Sequence, residues 1–260
     1  MHRLPSGRLM LARLGRRSDG LWHNPAFMRF WAADSISQFG IQVSAVALPL
    51  AAALLLGASA GQMGLLSAAA TAPFLLIGLF VGVWVDRVRR RPLLVLSDLA
   101  RAAILLAVPL AWALDALSMG LLYGVAFLVG TFTVVFEVAF ASYLPTLVRR
   151  EELVEGNGKI AASASAAQVG GPGIAGILVG LLGAPVAVLI DAASYLVSAA
   201  LMWKIPALER RPTPSGGEQR VRREIGEGLR AVFHSPVLRA LVACSATSTL
   251  FGYVFLAVYI

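Results

Sequence analysis

Charge is scarce in this 260-residue sequence: Asp, Glu, Lys and Arg supply 14% of it, against roughly a quarter in soluble globular domains. Hydrophobic residues supply 58% and the mean hydropathy is +0.77, so the bilayer is the expected solvent. Cysteine is nearly missing. Cys244 alone cannot close an intrachain disulfide, and in its apolar run it reads as a small buried or lipid-facing side chain. Histidine is also sparse: His2, His23 and His234 sit in polar segments without ligand-like spacing, so no metal set is expected. Met1 to Asn24 is rich in Arg but lacks an apolar stretch followed by a small-residue cleavage site, so no cleavable signal peptide is expected. The glycine-rich run Gly170 to Gly176 has no Lys-Ser/Thr after it and lies inside an apolar stretch. It cannot cradle nucleotide there, so ATP-driven transport has no sequence support in this chain. No cofactor and no enzymatic activity are expected.

What the sequence does have is long apolar runs. Crossing a hydrocarbon core of about 30 Å takes roughly 20 helical residues. Runs of that length extend approximately from Phe27 to Leu56, Gln62 to Val85, Leu93 to Leu114, Leu117 to Leu144, Ile160 to Leu182, Val186 to Trp203, and Val237 to Ile260. Each is about twice the length of a spanning strand and none alternates, so a closed barrel is excluded and an all-α integral membrane fold is expected.

The net charge of +8 sits in short clusters between these runs. That pattern favours anionic lipid headgroups and argues against nucleic acid as a partner. All but Arg101 of the 22 lysines and arginines lie in or beside every second connection. Arg3, Arg8, Arg13, Arg16, Arg17 and Arg29 lead into the first run; Arg87, Arg89, Arg90 and Arg91 separate the second and third. Arg149, Arg150 and Lys159 fall between the fourth and fifth, and eight more surround the link from Lys204 to Arg239. Basic loops are retained in the cytoplasm, so a multi-pass protein of the cell membrane with a cytoplasmic N-terminus is expected. A seven-helix receptor or retinal protein is excluded by that orientation and by the lack of a lysine in the last run. The expected division is a basic tail over 1–26, a six-helix unit over 27–204, a polar cytoplasmic linker over 205–236 and a seventh helix over 237–260.

Between the second and third runs the chain reads Gly82-Val83-Trp84-Val85-Asp86-Arg87-Val88-Arg89-Arg90-Arg91-Pro92. Gly82 permits close helix approach, and Asp86 at a helix terminus can pair with Arg87, Arg90 or Arg91. In the fifth run, Gly171-Pro172-Gly173-Ile174-Ala175-Gly176 places a helix-bending proline among small residues. The two segments resemble, respectively, the loop signature Gly-x-x-x-Asp-Arg/Lys-x-Gly-Arg/Lys-Arg/Lys of the major facilitator superfamily and its Gly-Pro-x-x-Gly-Gly antiporter element. Arg89 stands where the first pattern has Gly, and Ala175 replaces one Gly of the second. Further similarity, at Ala47-Leu48-Pro49-Leu50, Tyr143 to Val148 and Asp191 to Ser198, points toward the branch with macrolide and enterobactin exporters. The resemblance implies a conformational latch at the loop, a cavity lined by the first and fourth helices, and inverted three-helix repeats. A generic positive-inside cluster is the alternative for the loop, and plain helix packing is the alternative for the fifth run.

Acidic residues inside membrane spans are functional candidates by default. Asp34, Gln38 and Gln42 form a polar stripe on the first run, and Glu137 lies on the fourth; Asp34 and Glu137 sit roughly 8 to 18 Å inside the cytoplasmic end at 1.5 Å per residue. Asp34, Gln38 and Glu137 are the proton-coupling or substrate candidates. Asp98 and Arg101 are spaced for an ion pair, and Asp191 reads as a structural hydrogen-bonding residue. The expected activity is proton-coupled efflux of a small drug or natural product by alternating access. A truncated non-transporting fragment, a half-size protein that pairs, and a proton-linked importer are the alternatives. The expected partners are the substrate, protons, the lipid bilayer, and either a missing C-terminal half or a second copy of the chain.

Overall fold

The computed structural model describes residues 20–206 and 234–259, and these residues are almost entirely helical. The N-tail up to residue 19 and most of the expected 205–236 linker lie outside the described residues. The helices are α1 (Pro25–Leu56), α2 (Ala60–Val85), α3 (Arg90–Leu105), α4 (Ala107–Ala113), α5 (Met119–Leu147), α6 (Leu153–Leu182), α7 (Ala184–Trp203) and α8 (Pro236–Tyr259). α3 and α4 together make one membrane-length segment, Arg90–Ala113, so six spans meet the length and hydropathy needed to cross a bilayer, with α8 as one further helix. The shortest span has 20 residues, which at 1.5 Å each still matches a hydrocarbon core of about 30 Å.

Helix ends follow local chemistry. Asn24 caps α1: its Oδ1 accepts from the amides of Ala26 at 3.1 Å and Phe27 at 3.2 Å, with Pro25 at the first helical position. Gly57, left-handed at φ 60°, ends the helix. Ser59 and Gln62 form a reciprocal capping box at the start of α2. Gly183, at φ 80°, turns α6 directly into α7. The one difference of substance from the expected spans is the fifth, whose helix starts at Leu153 rather than near Ile160. The polar residues Glu155, Asn157 and Lys159 extend it, because Lys159 Nζ pairs with Glu155 at 2.7 Å one turn below.

Five extensive interfaces join the six spans: one with six, one with five, four with three, four with two, and three with six. Exchanging spans one to three with spans four to six maps this set onto itself. Consecutive spans run in opposite directions, so spans one and four are antiparallel and the two three-helix units are related by inversion. Small residues set the closest crossings. A Cβ added at Gly130 of α5 would lie 2.4 Å from the carbonyl oxygen of Ala70 in α2, and one at Gly171 of α6 would lie 2.5 Å from Cγ of Gln42 in α1. At Gly40 of α1 it would lie 2.8 Å from Cβ of Ser194 in α7.

The interior is layered. One apolar cluster gathers Phe27, Phe30, Val85, Leu94, Tyr143 and Met202; a second gathers Ala47, Ala51, Leu105, Val108, Leu122 and Val188. Between them along α1, α3 and α7 lie buried Asp34, Ser37, Ser97, Asp98, Arg101, Asp191, Ser194 and Ser198.

Candidate functional site

The polar layer is built from residues one helical turn apart. On α3, Asp98 and Arg101 are 0% and 1% exposed and form the ion pair their spacing predicts. Ser198 of α7 donates to Asp98 Oδ2 at 2.6 Å, tying span three to span six. The Arg101 guanidinium carbon lies 4.3 Å from the ring centroid of Phe136 on α5 and 4.1 Å from that of Tyr195 on α7. Asp191, 1% exposed, accepts from Ser194 Oγ at 3.2 Å. Breaking such a buried pair by removing one partner strands the other charge, at a cost of about 3–5 kcal/mol.

The three coupling candidates do not share one environment. Asp34 is 3% exposed; Gln38 Nε2 donates to its Oδ1 at 3.5 Å, while its buried Oδ2 has no hydrogen-bond partner among the described residues. Glu137 is exposed on α5, and Gln38 and Gln42 are half-buried. Asp34 therefore faces the interior of this bundle, whereas Glu137 faces out of it. Arg101, expected only to pair with Asp98, also ties α3 to α5 and α7 through the Phe136 and Tyr195 rings. The spacing Asp191, Ser194, Ser198 along one helix face was the available sequence signal for this layer.

At the expected latch, Asp86 ends α2 and is exposed; Arg90 Nη2 approaches its Oδ1 at 3.4 Å. Arg91 does something different. Its Nε donates to the carbonyl of Met202 at 3.3 Å, its Nη2 donates to that of Trp203, and its guanidinium lies over the Trp203 ring. Arg29 Nη1 donates to the next carbonyl, Lys204, at 2.7 Å. Two arginines from spans one and three thus satisfy the open carbonyls at the end of span six. The close approach expected at Gly82 is not found: among the described residues no atom lies within 4 Å of a Cβ placed there. In the antiporter-like element, Gly171 packs against Gln42, whereas Gly173 and Gly176 meet nothing within that distance among the described residues. α6 continues unbroken through Pro172.

Six apolar spans around a layer of buried charge define a multi-pass membrane protein whose interior is polar at mid-depth. The Major Facilitator Superfamily model matches residues 30–260, and the chain belongs to that family. It is 30% identical over 198 residues, 74% of its length, to the multidrug efflux pump Tap of Mycolicibacterium fortuitum, covering 48% of that protein. It is 31% identical over 234 residues, 86% of its length, to the multidrug efflux pump Tap of Mycobacterium tuberculosis, covering 55% of it. The chain spans about half the length of the curated relatives it matches.

Proposed function

We propose that the chain works in proton-coupled efflux of a drug or natural product, its six spans over 27–204 forming one of two bodies that rock about a central path. Similarity to multidrug efflux pumps across 86% of the chain carries this reading. The exposed Glu137 on span four supports it, because a carboxylate facing out of this bundle needs a second body to enclose it. That body is a C-terminal six-helix half or a second copy of this chain, joined through the 205–236 linker and the helix over 237–260. The N-terminus and the basic connections are cytoplasmic on the evidence of Lys and Arg placement. The latch is Asp86 with Arg87, Arg90 and Arg91, and Gly171, Pro172 and Gly176 belong to the packing face of span five. Asp34 and Glu137 carry protons, with Gln38 orienting the Asp34 carboxyl.

The test uses inverted membrane vesicles from cells expressing the intact gene product, with ethidium as the probe and an imposed pH gradient as the drive. Glu137→Gln keeps shape and removes titration, so it should abolish gradient-driven uptake while membrane abundance stays at the parental level. Undiminished uptake by that variant removes Glu137 from the mechanism.

A further inference from the structure

Span six ends on carbonyls that its own chain cannot fill. Pro206 has no amide hydrogen, so the Trp203 carbonyl lacks the donor three residues on that a tightened last turn would supply. The Met202 carbonyl keeps the Ile205 amide, at 3.2 Å. Arg91 of span three takes the vacant places, donating from Nε to Met202 and from Nη2 to Trp203, with its guanidinium carbon 5.4 Å from the Trp203 ring centroid. Arg29 of span one takes the Lys204 carbonyl. Cations suit this negative end of a helix. Ile205, the next residue, is 1% exposed and packs in the apolar cluster of Phe27, Leu94 and Met202. The chain therefore leaves the bundle at the exposed Pro206, from a point fixed to spans one and three.

That point is joined to the loop between spans two and three. Arg90 and Arg91 open α3 as consecutive residues, about 100° apart around its axis. Arg90 reaches back to Asp86 at the end of α2, whereas Arg91 reaches across to the end of α7. A shift or rotation at the start of α3 moves both contacts together.

We infer that Arg91 is a positioning residue that couples the Asp86–Arg90 pair to the end of span six, so that opening the pair loosens the point from which the linker departs. The inference rests on the reading of the Asp86 loop as a latch, and gives that latch an output within its own body. Arg29 grips the same helix end from span one and is the comparison outside the loop. The planar guanidinium of Arg91 meets two carbonyls and a ring at once, which an ammonium on a flexible stem does not reproduce.

Hydrogen–deuterium exchange of the purified intact gene product reads the last turn of span six in the peptide over 201–206, with neither substrate nor gradient. Arg91→Gln should speed exchange at the Lys204 and Ile205 amides about tenfold, as expected for losing a charge-assisted hydrogen bond. Arg91→Lys should speed it less. Asp86→Asn, a change at the far end of the relay, should speed the same amides by about two- to fivefold, the range for an exposed ion pair. Lys159→Gln, which breaks the pair with Glu155 instead, should leave them at the parental rate. The deciding comparison is between double variants: Asp86→Asn should add nothing once Arg91→Gln is present, and should keep its full effect beside Arg29→Gln. Where Arg91→Gln fails to accumulate, Arg91→Lys takes its place and should blunt the response to Asp86→Asn. A merely local cap would respond to Arg91→Gln and not to Asp86→Asn. That result, or additive effects of the two changes, overturns the inference even with normal ethidium transport. The non-additive pattern supports it even where vesicles show no transport, in which case the exporter reading fails by itself.

Discussion

Replacing Gly130 with alanine tests whether span four meets span two as closely as the structure shows. The new Cβ would sit 2.4 Å from the Ala70 carbonyl oxygen, 3.2 Å from Pro73 Cγ and 3.3 Å from the Ala70 carbonyl carbon. Two of these atoms are backbone, so no rotamer change relieves the contact, and α2 must retreat from α5 by about 1 Å to restore ordinary separation. Gaps of that size forfeit a quarter to a half of the attraction between atoms across the interface, and overpacking of this kind costs about 1–3 kcal/mol. The loss should lie toward the upper end of that range. Gly124→Ala is the control: it lies on the same helix, and a Cβ there meets nothing within 4 Å among the described residues. Alanine's better helix propensity should leave that variant neutral or more stable by up to about 1 kcal/mol. The assay is thermal unfolding of purified protein in one detergent, followed by size-exclusion chromatography after heating. A Gly130→Ala protein as stable as the Gly124→Ala control would refute the close crossing.

Two further predictions concern orientation and the N-terminal clamp. In a Cys244→Ser background, an impermeant thiol reagent added to intact cells should label a cysteine placed at Ser59 or Asp115 and leave one at Arg90 unmodified; labelling at Arg90 would overturn the orientation. Asn24→Ala removes the cap of α1 and the hydrogen bond from Asn24 Nδ2 to the Leu147 carbonyl, 3.1 Å long. It should cost about 1 kcal/mol and speed hydrogen exchange at Ala26 and Phe27, while exchange in the middle of α1 is unchanged.

The six spans were legible in the sequence because a bilayer demands uninterrupted apolar length, which composition reveals without tertiary information. The caps at Asn24-Pro25 and Ser59 to Gln62, which act within one turn, emerged only with the structure. The polar layer was harder to see. Asp191 and Ser194 look like ordinary hydrogen-bonding residues until α7 is set between α1 and α3, where Gly40 admits them. Arg101 was visible as one half of an i, i+3 pair, but its place beside Phe136 and Tyr195 depends on two other helices. Glycines misled in one respect: Gly82 sits in a recognisable motif yet meets no atom among the described residues, whereas Gly130, in no motif, makes the tightest crossing to a backbone. Motif spacing reports chemistry along one chain segment, and close approach is a property of two.

The clamp at the start of α1 carries a consequence for biosynthesis. The Leu21 amide donates to Glu155, Asn24 to Leu147, and Trp31 Nε1 to the Lys159 carbonyl, over sequence separations of 134, 123 and 128 residues. This helix can seat its own entry only after the next three spans and the start of the fifth have been made. Until then its cap residues face water, and its buried face waits longer still, for spans five and six. A pause in translation before residue 147 would lengthen that exposed interval.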